Sequence, residues 1–104
     1  MTTYNKLIRD RIPEIISAAG KSCTTEILSE QDYLHMLDAK LDEELAEYHK
    51  DQTIEELADL LEVIRAVAVA RGFTLEELDR VRAEKAAKRG SFEKRILLKE
   101  VYED

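Results

Sequence analysis

Leucines recur at three- and four-residue intervals through the middle of the chain: Leu34, Leu37, Leu41 and Leu45, followed by Tyr48. That rhythm lays one apolar stripe along a helix and leaves polar residues opposite. Ser29 stands just ahead of an acidic turn, so "SEQD" predicts an N-cap and a helix from about residue 30 to residue 50. A second run follows Thr53. Leu57, Leu61, Ile64 and Ala68 form one apolar line, and Leu60, Val63, Val67 and Ala70 form another. Thr53 with Glu56 reads as a capping box, and Gly72 closes that helix after about Arg71. Thr74 with Glu77 repeats the device for a helix ending near Arg89, before Gly90. Upstream, Pro13 and Gly20 bracket a shorter helix.

Two segments resist this reading. "KSCTTEIL" is rich in β-branched residues, and the tail "SFEKRILLKEVYED" is readable as helix or strand. An extended pair between residues 23–28 and 95–101 is one expectation for them. For the rest, short connections make successive helices antiparallel neighbours. The expected fold is all-α, a small antiparallel helical bundle in a single domain over residues 1–104.

Composition narrows the partners. A net charge of −7 disfavours a nucleic-acid polymer or an anionic membrane surface, both of which attract basic proteins. No apolar run reaches membrane-spanning length and no secretory signal opens the chain. The lone Cys23 excludes an internal disulfide and suits a reducing compartment, so a cytoplasmic location is expected. One cysteine and two histidines are too few for a zinc cluster.

The distribution of charge says more than its sum. Residues 41–64 carry nine Asp and Glu against one Lys. Glu43 and Glu47, Glu47 and Asp51, and Glu55 and Asp59 are like-charge pairs at four-residue spacing. Each costs about 0.2–0.5 kcal/mol on an isolated helix. The line of Val63, Val67 and Ala70, continued toward the N-terminus of its helix, runs into Glu56 and Asp59. Acids therefore occupy positions that the same helix fills with Val and Ala a turn later. Carboxylates crowded beside a core must take up protons or share a cation, and oxygen donors without His or Cys suit a hard ion such as Mg²⁺. A solvated acidic face, docking a basic partner, is the reading against which this one stands.

Glu44-x-x-Glu47 and Glu56-x-x-Asp59, on consecutive helices, resemble the ExxE…ExxD signature of the all-α NTP pyrophosphohydrolases, the MazG superfamily. "YNKLIRDRIPEII" and "KRGSFEKRILL" resemble its short, phosphoribosyl-ATP-pyrophosphohydrolase-like subgroup, so the likeness spans nearly the whole chain. The resemblance implies a bundle of that superfamily's type that hydrolyses a nucleoside triphosphate between its α- and β-phosphates. It implies Mg²⁺ or Mn²⁺ as cofactor and a homodimer or higher homo-oligomer. Glu44, Glu47, Glu56 and Asp59 become the expected metal ligands. The family places a lysine of the last helix at the site, which points to Lys85, with Arg89 and Arg95 as further phosphate ligands. Glu43 or Glu62 is a candidate to orient or deprotonate the attacking water, and each also reads as a solvated helix residue. Lys6, Arg9 and Arg11 form a second basic cluster able to cover the site or simply to balance an acidic surface. Only eight residues separate Glu47 from Glu56, short for the superfamily. Phosphoribosyl-ATP is the alternative substrate. A subunit contact through Val63, Val67 and Ala70 is expected, because two apolar lines exceed what one neighbourhood of helices needs.

Overall fold

The computed structural model describes residues 1–103. The protein is all-α, with α1 Ile12–Ala18, α2 Glu30–Asp51, α3 Ile54–Ala70 and α4 Leu75–Arg89. The three longer helices begin at the anticipated caps. Ser29 Oγ accepts from the Asp32 amide at 3.2 Å, Thr53 Oγ1 from Glu56 at 3.3 Å and Thr74 Oγ1 from Glu77 at 3.0 Å. Each satisfies one of the amides that a helix start leaves without a partner. Gly72 and Gly90 follow α3 and α4 with φ of 91° and 84°, backbone that favours glycine. Gln52 does the same work after α2 without being glycine, at φ 53° and ψ 37°.

Only residues 52 and 53 connect α2 to α3, so the two helices fold back on each other as an antiparallel hairpin. Pairings at both ends confirm that direction. Asp38, early in α2, accepts from Arg71 just beyond α3 at 3.2 Å, while Glu44 lies near Glu56 and Asp59. α4 packs on α3 and does not reach α2.

The core is small. Leu37 of α2 and Val63 of α3 are buried, and so is Ala68 toward the far end of α3. Leu60, Val67 and Ala70 are half-buried along the same line as Val63. That line therefore packs inside the hairpin, and the expectation that it forms the subunit contact is corrected. Most of the other line is left in solvent: Leu57 is 43% and Leu61 55% exposed, and of that line only Ala68 is buried. The chain is also far from spherical. Its radius of gyration is 18.7 Å and its longest extent 68 Å, against about 13 Å for a compact chain of this length. It exposes 9832 Å², where a compact chain of this size exposes roughly 6,000 Å².

The extended pair does not form. Among the described residues there is no strand, and residues 23–28 and 95–101 are irregular and mostly exposed. A lone two-stranded ribbon is marginal in water unless a third element covers it, and none does. The tail is not helical after residue 89 either, where Gly90 ends α4.

Candidate metal centre

The carboxylates gather where α2 ends and α3 begins. Glu44, Glu56 and Asp59 each place a carboxylate oxygen within 4.8 Å of the others'. Glu47, Asp51 and Glu56 form a second such group. Glu56 belongs to both. Two helices thus bring carboxylates to one place, and Glu47 meets Glu56 in the second group rather than joining Glu44 and Asp59.

The backbone treats the two rows differently. Glu56 lies in the first turn of α3, where the helix dipole is positive and favours a carboxylate. Glu47 and Asp51 sit in the last turns of α2, where the dipole is negative and opposes them. Local cations answer only part of the charge. Lys40 Nζ is 3.4 Å from Glu43 Oε1 and 3.6 Å from Glu44 Oε1, with the Lys40 and Glu44 side chains both mostly buried. Arg9, fifty residues away along the chain, donates to Asp59 Oδ1 at 2.7 Å. Among the described residues Glu47, Asp51 and Glu56 have no ion pair. Accordingly the Glu56 carboxyl is raised above its ordinary value, first by partial loss of solvent and then by the charges of Asp51, Asp59, Glu47 and Glu44.

Such a donor set fits a hard divalent cation. Mg²⁺ bonds oxygen at 2.0–2.1 Å, so ligands on opposite sides of it lie about 4.2 Å apart. Neighbouring ligands lie about 3 Å apart, so the carboxylates would draw together by side-chain rotation around an ion, with waters completing the octahedron. His35 and His49 take no part in either group.

The remaining candidates are placed elsewhere. Glu43 turns to Lys40, and Glu62 is 3.9 Å from Arg65. Glu62 lines an open groove with Tyr33, Arg65, Val69 and Leu75 at the other end of the hairpin. Lys85, Arg89 and Arg95 are exposed and make no ion pair among the described residues. Tyr48 is half-buried with its ring against His49, 5.9 Å between centroids. Two residues join the site that the ligand motif alone does not name. Asp51 was legible as the residue one turn beyond Glu47. Arg9 was legible only as a member of a basic cluster, because nothing local links it to α3.

No family model matches the chain, and no solved structure matches it. A stretch of 48 residues is 50% identical to an uncharacterized protein of Mycolicibacterium smegmatis. The match covers 46% of this chain and 49% of that protein, so the chain spans about half the length of the curated relative it matches. Among the described residues no helix is long and apolar enough to cross a membrane.

Proposed function

We propose that this protein is a metal-dependent nucleoside triphosphate pyrophosphohydrolase, releasing nucleoside monophosphate and pyrophosphate. The observation that carries the reading is the convergence of Glu44, Glu56 and Asp59 from two helices, on the line that the same helix otherwise packs with Val63 and Val67. The resemblance of both flanking segments to the MazG superfamily supports the substrate class.

Glu44, Glu47, Glu56 and Asp59 would hold Mg²⁺ or Mn²⁺, with Asp51 beside them. The ion supplies Lewis acidity and a bound water of lowered pKa. The chain's own part is to fix the ligand oxygens and to keep Glu44 partly desolvated, which strengthens its attraction for a cation. Lys40 holds Glu44 from behind and limits its rotamers. A triphosphate meets net repulsion from these acids until cations intervene, so turnover depends on added metal. Glu43 remains a proposed partner of the water only through a change of rotamer, since it faces Lys40 now, and Glu62, in the groove at the other end of the hairpin, would need a larger rearrangement to serve. Lys85, Arg89 and Arg95 are proposed phosphate ligands brought to the site by assembly of subunits.

Assembly is part of the same reading. Leu57, Leu61 and Ile64 line the outside of α3, and a homodimer would cover them. Light scattering at micromolar concentration should report a species larger than the monomer. The exposed, free Cys23 is consistent with work in the reducing cytoplasm.

The deciding experiment incubates the protein with a panel of NTPs, dNTPs and phosphoribosyl-ATP in Mg²⁺, scoring pyrophosphate against orthophosphate. Pyrophosphate that disappears with EDTA is the expected result. No turnover, together with a melting temperature indifferent to Mg²⁺, would return the acidic end of the hairpin to the status of a docking face.

A further inference from the structure

Among the described residues Arg9 makes the shortest ion pair, 2.7 Å to Asp59, although both side chains are well exposed. It also reaches from a part of the chain that is otherwise loosely attached. Residues 1–9 contain no regular element, and α1 packs closely on none of the other helices. The backbone at Arg9 is nonetheless set, because its carbonyl accepts from the Ile12 amide at 3.1 Å in the turn that opens α1. A guanidinium is thus delivered, from a segment that no other helix holds, onto one of the three carboxylates that would bind a metal.

We infer that Arg9 is an exchangeable ligand: it neutralises Asp59 while the site lacks a metal, and transfers to substrate phosphate once a divalent cation takes Asp59. This rests on the metal-dependent reading above. The chemistry permits both halves, because the planar fork of arginine matches a carboxylate and a phosphate equally well. Competition follows from charge. The cation and Arg9 would share the one Asp59 carboxylate, and their mutual repulsion disfavours both staying. Exposed ion pairs contribute little stability, so this one can open without loss of the fold. After exchange the guanidinium would remain on the segment before α1, free to turn to the charge that a triphosphate brings to the metal.

The two halves predict effects of opposite sign for one substitution. Mn²⁺ alone, titrated by calorimetry and by its paramagnetic resonance signal, should bind Arg9→Gln several-fold more tightly than the wild-type protein. Mg²⁺-pyrophosphate should bind Arg9→Gln about ten-fold more weakly, with Arg9→Lys between them. In the wild type, Mn²⁺ should also speed amide hydrogen exchange in residues 1–11 as the tether opens. Weaker binding of both probes would make Arg9 a structural residue and overturn the inference. So would unchanged affinities, or tighter Mn²⁺ binding with pyrophosphate unaffected. Absence of Mn²⁺ binding by wild type and Arg9→Gln alike would overturn the metal reading itself, and this inference with it.

Discussion

The two ends of the α2–α3 hairpin are built from the same helices and carry opposite electrostatic solutions. At the far end acids meet bases: Asp38 pairs with Arg71 at 3.2 Å, Glu62 with Arg65 at 3.9 Å, and Asp79 of the adjoining α4 with Arg82 at 3.0 Å. At the end joined by Gln52 and Thr53, four carboxylates gather around that of Glu56, and Lys40 and Arg9 are their ion-pair partners among the described residues. Glu30 and Asp32 at the far end also lack ion pairs among the described residues, yet no three acids gather there. The difference teaches that the crowding is local, and local crowding is what a cation site needs.

The comparison can be broken by a single neutralisation at each end. Glu56→Gln removes the carboxylate shared by both groups and should lower metal-dependent pyrophosphate release by at least ~100-fold, the upper range for disturbing a metal's surroundings. Asp38→Asn at the far end should leave that rate within about two-fold. An equal loss in both would show that the ends are not functionally distinct.

Thermal melts sharpen the same contrast. Mg²⁺ at a hundred times its dissociation constant should stabilise the wild type by about 2.7 kcal/mol. A domain of this size then gains roughly 10–20 °C in melting temperature. Glu56→Gln should lose that gain, and Asp38→Asn should keep it.

Acid should act on the crowded end in the absence of metal. Glu56 has a folded-state pKa above its ordinary value of 4.5, so the folded protein holds that proton more readily than the unfolded chain. The ionised carboxylate therefore penalises folding at pH above the raised value. The penalty fades as pH falls through that value toward 4.5. Denaturant melts in EDTA across this window should show stability rising on mild acidification, and Glu56→Gln should lack this component. Stability that falls on acidification, equally in both proteins, would show that Glu56 is not under strain.

The smallest effect belongs to the paired end. Breaking the exposed Asp38–Arg71 contact by Asp38→Asn should cost no more than about 1 kcal/mol in a denaturant melt. A larger loss would mean that this end, too, is electrostatically specialised.

Much of this was legible in the chain because the signals are local. Ser29, Thr53 and Thr74 cap the helices they were expected to cap, since a hydroxyl three residues from an unpaired amide needs nothing from the rest of the fold. The convergence of Glu44, Glu56 and Asp59 was legible for a related reason: helical spacing and a short turn jointly fix where both rows point. What failed depended on distant partners. Residues 23–28 and 95–101 have strand-like composition, but no sequence pattern says whether a third element will cover them. The line of Val63 and Val67 was assigned to a subunit contact because rotation of α3 about its axis is set by α2, not by α3 alone. Arg9 illustrates the same limit, since its partner lies fifty residues away.

The joint between α2 and α3 is only two residues long. Gln52 turns the chain through a left-handed conformation, and Thr53 already begins the next helix. Two residues leave no slack, so the helices cannot splay apart to relieve the repulsion among their acids. The joint works as a clasp on a compressed spring: it stores the mutual repulsion of the carboxylates in the folded chain. A cation entering between them would release that load, so part of its binding energy is prepared when the hairpin closes.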